Sequence, residues 1–199
     1  LQDGGSSDGT LEEIKRSAGS NVILVSERDF GIYDAINRGI RRASGDVIGL
    51  MHSDDFFASA TVLAKIAEAF ADPKVIRHWR SGEYNSALLQ KGWMPPHPTL
   101  YLRSEVFERF GLYDTSFRIA ADYDAILRYL TKGQISLAYI PEVLVKMRLG
   151  GESNRSLQRI IEKSREDLRA LRQNKAGGIK VLAAKNFSKL SQFIVRDKS

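Results

Sequence analysis

The sequence predicts an α/β fold: an open mixed sheet flanked by helices, with a helical extension at the C-terminus. Three observations predict it. Strand and helix signals alternate through the first 60 residues, the order that builds a sheet with parallel strands. The apolar runs at 22–25 and 47–51 are short and continuous rather than alternating, as in strands covered on both faces. Residues 153–199 carry a basic, amphipathic, helix-period pattern.

Element by element, Asp3-Gly4-Gly5-Ser6-Ser7-Asp8-Gly9 is a turn-rich loop. A helix follows over 11–18 with Leu11, Ile14 and Ala18 on one face, then the strand at 22–25 and a helix over 32–43. The strand at 47–51 leads to a helix over 60–71. Residues 79–99 contain Gly, Pro and aromatics with little periodicity. Helices are expected over 104–110 and 122–132, and two short strands, 135–140 and 143–147, around Pro141. A basic amphipathic helix spans 156–172, with Leu157, Ile160, Ile161, Leu168 and Leu171 as the stripe that docks on the rest. Gly177-Gly178 breaks the chain before a last helix over 179–195. The expected division is a catalytic domain over 1–152 and an extension over 153–199. The chain opens as if at the exit of a strand, which predicts a preceding βα unit. Around residues 71–79 a helix runs into Trp79 with almost no strand between, which predicts a missing loop there.

Composition narrows the function. The chain has 199 residues, 43% hydrophobic and 27% charged, enough to bury a core without staples. It has no Cys, which excludes disulfides, zinc–thiolate sites and thiol nucleophiles, and fits a reducing compartment. No apolar run approaches the roughly 18 residues of a membrane span, and no signal peptide is visible. Residues 153–199 hold 12 Lys/Arg against 4 Asp/Glu, a net of +8, whereas residues 1–152 carry −2. The basic tail suits an anionic partner, or is a solvated helical face.

Four segments could carry chemistry. His52-Ser53-Asp54-Asp55 follows a strand end, where open α/β sheets bind ligands, and adjacent carboxylates can hold a hard divalent cation; the alternative is a helix N-cap. Asp3 precedes a glycine-rich loop and could accept hydrogen bonds from a nucleobase or ribose; Ser7 and Asp8 read better as caps. Asp34 and Asn37, in Gly31-Ile32-Tyr33-Asp34-Ala35-Ile36-Asn37-Arg38-Gly39, share a helix face and could be a surface pair. Asp122 opens a helix as general base or N-cap, and Asp124 points to another side.

Taken together, these segments resemble the family 2 glycosyltransferases. The carriers are Gln2-Asp3-Gly4-Gly5-Ser6-Ser7-Asp8-Gly9-Thr10, Gly31 to Gly39, Ala43-Ser44-Gly45-Asp46 running on to Asp55, and Ala121-Asp122-Tyr123-Asp124, in family order from residue 1 to about 155. Met94-Pro95-Pro96-His97-Pro98-Thr99, Arg103 and Gly111-Leu112-Tyr113-Asp114 are similar to the branch that builds bacterial surface polysaccharides. The resemblance implies a GT-A (Rossmann-like) fold and inverting transfer from a nucleotide-diphosphate sugar, UDP-sugars favoured, to a glycan or lipid-linked acceptor. It implies that Asp3 contacts the nucleobase, that Asp34 and Asn37 line the nucleotide pocket, and that Asp54 faces ribose or metal. It further implies that Asp55 binds Mn²⁺ or Mg²⁺ and that Asp122 is the base. A cytoplasmic enzyme, peripheral at the inner face of the membrane, is the expected setting. Family members often have Asp at the place of His52 and Glu at that of Ala121, and a His ligand near the last strand is missing from Lys146-Met147-Arg148-Leu149-Gly150-Gly151.

Other readings are a nucleotidyltransferase, which would carry a basic, glycine-rich phosphate loop, and a non-catalytic nucleotide-sugar-binding relative. A nucleic-acid-binding domain fits poorly, since residues 153–199 offer only Phe187 and Phe193 for stacking.

Overall fold

The computed structural model describes residues 1–71, 85–95, 97–133, 135–147 and 157–190. The loop expected near 71–79 and the last turns of the helix expected over 179–195 lie outside them.

In chain order the elements are β1 (Gln2–Asp3), α1 (Thr10–Ser17), β2 (Val25–Ser26), α2 (Ile32–Arg42), β3 (Val47–Gly49), β4 (Asp55–Phe57), α3 (Val62–Ala71) and α4 (Ala87–Gln90). A 3₁₀ turn (His97–Thr99) follows, then β5 (Tyr101–Arg103), α5 (Ser104–Phe110), α6 (Ala121–Thr131), β6 (Val145–Met147), α7 (Leu157–Gln173) and α8 (Ile179–Leu190). Strands pair two by two among the described residues: β1 parallel to β2, β3 antiparallel to β5, and β4 antiparallel to β6. The β3–β5 register sets Gly49 opposite Tyr101, and a Cβ at position 49 would overlap the Tyr101 ring.

Three expectations need correction. The strand expected over 22–25 forms only at its end, and Val22 and Ile23 are exposed. A continuous apolar run suits a strand covered on both faces, but β2 has a single strand neighbour among the described residues. The strand over 47–51 shortens to β3 and pairs antiparallel, so the parallel arrangement holds for β1–β2 alone among these pairs. Residues 135–140 form no strand: Ile135 and Ile140 are buried, but the chain turns there, with Glu142 N–H donating to Ile140 O at 2.8 Å. Apolarity there reports burial rather than pairing. The expected helices, in contrast, start and stop within two residues of their expected limits wherever both ends are described, whereas the single turn of α4 falls in the stretch where no helix was expected.

The core is organised around α6. Ala121, Tyr123, Asp124, Ala125, Ile126, Leu127, Tyr129 and Leu130 are all buried, covering every side of the helix. Several of its polar groups are tied down: Arg128 pairs with Asp124 at 3.2 Å and donates to Leu112 O at 2.6 Å, and Tyr129 Oη donates to Gly111 O at 2.8 Å. The same cluster holds Ile48 and Leu102 from the β3–β5 pair, Val106 and Phe107 from α5, Ala170 and Leu171 from α7, and Val181 from α8. A smaller cluster gathers Val62, Ile66 and Phe70 of α3 with Tyr101, Ile140 and Leu144. The expected α7 stripe docks only in part: Leu171 is buried, whereas Ile160 and Ile161 are exposed.

One ion pair is sealed where α8 meets α7. Lys185 Nζ lies 2.8 Å from Asp167 Oδ2, with both side chains under 5% exposed, and 3.2 Å from the centroid of the Tyr123 ring. Removing one partner of such a pair leaves an uncompensated buried charge. Lys185→Met should therefore destabilise the protein by about 3–5 kcal/mol in urea denaturation at neutral pH. Adding Asp167→Leu should recover most of the loss. Unchanged stability of the single variant would contradict the pair's burial.

Candidate active site

The site is built at loop ends and helix starts. Asp3 ends β1 and is 7% exposed. Its Oδ2 accepts from Gly5 N–H (2.9 Å), Ser6 N–H (3.0 Å) and Ser26 Oγ (2.6 Å), and its Oδ1 accepts from Ser6 Oγ (2.6 Å). The Ser26 bond, then those from Ser6, hold this carboxyl far below the usual carboxylate range. The expected nucleobase contact falls on a group whose two oxygens already serve this chain, clamping the glycine loop to β2.

Helix α2 begins after Gly31, whose φ of 116° favours glycine. Asp34, in its first turn, accepts from Phe30 N–H at 3.1 Å and pairs with Arg38 at 2.9 Å; the Phe30 bond is the first cause of its lowered pKa. Asn37 is 4% exposed and spends its amide on one residue: Nδ2 donates to Tyr113 O at 2.8 Å, and Oδ1 accepts from Tyr113 N–H at 3.0 Å. The expected lining of a nucleotide pocket falls, at Asn37, on an amide that already serves this chain. The helix face that it shares with Asp34 turns inward at its position, and the amide fixes the backbone of Tyr113.

His52, Ser53, Asp54 and Asp55 form a tight turn, closed by Asp55 N–H donating to His52 O at 3.1 Å. Asp55 opens β4 rather than capping a helix, and α3 starts only at Val62, so the N-cap alternative is set aside. Asp54 is exposed at the tip. Asp55 Oδ2 is buried with no hydrogen-bond partner, and desolvation first, with the Asp54 charge, raises its pKa. An orphaned carboxylate oxygen beside an exposed carboxylate is a hard-oxygen donor pair, and it fits a divalent cation completed by substrate phosphates and water. Among the described residues no cluster of three His, Cys, Asp or Glu could hold a metal by itself.

Asp122 and Asp124 differ in every respect that matters for reactivity. Asp124 is 4% exposed and committed to Arg128 and to Asn174 Nδ2, the latter at 2.8 Å. Asp122 stands in the first turn of α6 and is partly exposed. Its Oδ1 accepts from Tyr123 N–H at 2.8 Å and lies 3.3 Å from Tyr33 Oη, whose hydroxyl donates to Ile119 O at 2.7 Å. Burial, then the Asp122 charge, raises the Tyr33 pKa, so that phenol stays protonated.

His97 joins these parts. It shares a 2.8 Å hydrogen bond with Tyr113 Oη, and its ring lies 5.8 Å from that of His52. Burial pushes the imidazole down to about 4; the Asp122 charge opposes this and His52 adds to it. His97 thus links the His52–Asp55 turn electrostatically with the start of α6, while Tyr113 ties it back to Asn37. A cavity of about 650 Å³ lies between α3 and the β3–β5 pair, lined by Leu50, Met51, Phe57, Ile66, Phe70 and Tyr101 among others. None of the candidate carboxylates lines it, so it is not where they would act. Sequence reasoning assigned no role to Tyr33 or Tyr113. Both stand inside the quoted motifs, which is the one signal that could have singled them out.

A family model described as Glycosyl transferase family 2 matches residues 1–128. An uncharacterised glycosyltransferase of Mycobacterium tuberculosis is 32% identical over 142 residues, covering 63% of this chain and 54% of that protein. A PGL/p-HBAD biosynthesis glycosyltransferase of the same species is 28% identical over 171 residues, covering 77% and 66%. Among solved structures, the mannosyltransferase PcManGT from Pyrobaculum calidifontis, in complex with GDP-Man and Mn²⁺, is similar with a TM-score of 0.66 and 19% identity, covering 95% of this chain and 59% of that one. S. aureus TarS 1–349, in complex with UDP-GlcNAc, is similar with a TM-score of 0.60 and 14% identity, covering 86% and 54%. These likenesses show the GT-A fold. The chain spans about half to two thirds of the length of these relatives.

His97 gives the fold a pH signature. Its folded pKa lies below the unfolded value of 6.5, so the unfolded chain binds the extra proton between pH 6.5 and about 4. Stability should fall as pH drops through that window, by about 3 kcal/mol in all. Asp3 acts in a separate window, below the ordinary carboxylate range, because its folded pKa is depressed. Denaturation of His97→Gln should show a flatter slope between pH 6.5 and 4.5. The same slope in both proteins would contradict the burial of a neutral imidazole.

Proposed function

The chain belongs to glycosyl transferase family 2, and we propose that it moves a sugar from a nucleoside-diphosphate sugar to a hydroxyl of a glycan or lipid-linked acceptor, with inversion, in the synthesis of a surface polysaccharide. The observation that carries the mechanism is the contrast within α6. Of two acids at its start, Asp124 is buried and paired, while Asp122 is exposed enough to meet a substrate.

In this reading Asp122 takes the proton of the acceptor hydroxyl as the oxygen attacks the anomeric carbon, opposite the departing nucleoside diphosphate. Tyr33, held by Ile119 O, stays beside the carboxylate and steadies it. His97 is neutral at pH 7 and places no cation next to the base. Asp3 shapes the loop that faces the nucleotide, and Asp34 holds the start of α2 beside it. Asp55, with Asp54, would hold Mn²⁺ or Mg²⁺, which would offset the charge of the diphosphate. The donor-bound solved relatives, one of them with Mn²⁺, support this reading. The basic C-terminal segment, with Ile179 and Phe187 exposed on α8, supports a peripheral position on an anionic membrane, where a lipid-linked acceptor would be presented. Among the described residues no helix is long and apolar enough to cross a membrane.

A panel of UDP- and GDP-sugars with Mn²⁺, read by nucleoside diphosphate release, tests the activity. Asp122→Asn should lower turnover by about 10²–10⁴-fold with donor affinity unchanged, whereas near-normal turnover would remove Asp122 as the base. Calorimetry should show that Asp55→Asn abolishes the Mn²⁺-dependent part of UDP binding. Unaltered affinity would reject Asp55 as the ligand.

A further inference from the structure

Three consecutive amides of the loop that delivers Asp122 are held from outside its own segment by a single carboxylate. Glu166, on α7, accepts three successive backbone donors: Arg118 N–H at 2.9 Å on Oε1, then Ile119 N–H at 2.9 Å and Ala120 N–H at 2.8 Å on Oε2. Consecutive amides pointing at one anion make a backbone nest, and here the anion is supplied by the chain itself. Ala120 is the N-cap residue of α6, and Asp122 is the second residue of that helix. The carboxylate of Glu166 therefore closes on the backbone two residues before the proposed base.

The surrounding contacts show how specific this hold is. Arg169, three residues along α7, donates to Ser116 Oγ at 2.7 Å and lies 4.2 Å over the Phe117 ring. Asn174 reaches Asp124 on the far side. Tyr33 Oη takes the carbonyl of Ile119 while Glu166 takes its N–H, so the Ile119 peptide units are gripped from both sides. Charge-assisted bonds to backbone N–H are about twice as strong as neutral ones, and three share one acceptor group.

We propose that Glu166 is a positioning residue for sugar transfer: by fixing the amides of residues 118–120 it sets the direction in which Asp122 presents its carboxylate. The proposal rests on the reading of Asp122 as the base. Misplacing a reacting group by about 1 Å can cost on the order of 10²-fold in rate. Glu166→Gln retains one carbonyl for two of the donors but turns an NH₂ group toward the third. Glu166→Ala releases all three.

The test combines turnover, donor binding and amide exchange on the full chain. With the donor identified by the sugar panel, Glu166→Ala should lower kcat by about 10–100-fold, and Glu166→Gln by less, with the affinity for UDP and Mn²⁺ unchanged. Amides 118–120 should exchange faster in both variants. In an Asp122→Asn background, Glu166→Gln should cause no further loss of kcat, because the two residues act through one group. Normal kcat in both Glu166 variants, or a multiplicative loss in the double variant, would overturn the positioning role. Lower melting temperature with unchanged kcat per folded molecule would also overturn it, since that is what a structural bond alone predicts. If Asp122→Asn itself turns over normally, the base reading fails and takes this proposal with it. An inactive Asp122→Asn beside fully active Glu166 variants sinks the positioning role alone.

Discussion

The burial of α6 is the constraint on which the rest depends. A helix covered on all sides cannot shift or rotate without breaking contacts with the β3–β5 pair, α5 and α7 together. Its polar residues add direction to that packing. Arg128 ties the helix to the carbonyl of Leu112, Tyr129 to that of Gly111, and Asn174 reaches Asp124 from α7. The N-terminal turn of so rigid an element is a good place for a reactive group, because the core then absorbs the cost of holding it still. Asp122 stands there, while its neighbours Ala121 and Tyr123 are buried.

Acidic residues are divided between structure and chemistry. Asp3 and Asp124 are both nearly buried and fully used, one by the glycine loop and Ser26, the other by Arg128 and Asn174. Asp34 is used in part by Arg38 and Phe30. Of the candidate carboxylates, what is left is the exposed Asp54, Asp55 with its orphaned oxygen, and Asp122. Those three have capacity for a cation or a proton, the two roles that the proposed sugar transfer would give them.

Much of this was legible in the sequence. Helices announced themselves through periodicity, and the Asp54-Asp55 pair could be placed after a strand. That Asp122 and Asp124 could not serve the same atom followed from the helix, since two residues apart means roughly 200° around the axis; the resemblance helped to set the proposed base at the first of them. What could not be read was partnership. Asn37 lies three residues from Asp34 and reads as its surface companion, but its amide is matched to the backbone of Tyr113, 76 residues away. Glu166 is one of few acids on a basic helix and reads as a solvated charge; its partners are amides, which leave no mark in the sequence. Strand limits escape the sequence for a related reason. Apolarity at 22–25 and 135–140 tells how a residue would prefer to be buried, not which edge it pairs with.

The central claim is that a partly exposed carboxylate at the start of a buried helix drives a single displacement. Stereochemistry tests it most directly. The anomeric configuration of the product, read from its proton NMR coupling soon after transfer, should be opposite to that of the donor sugar. Retention of the donor's configuration would contradict a single displacement, and with it the role given to Asp122.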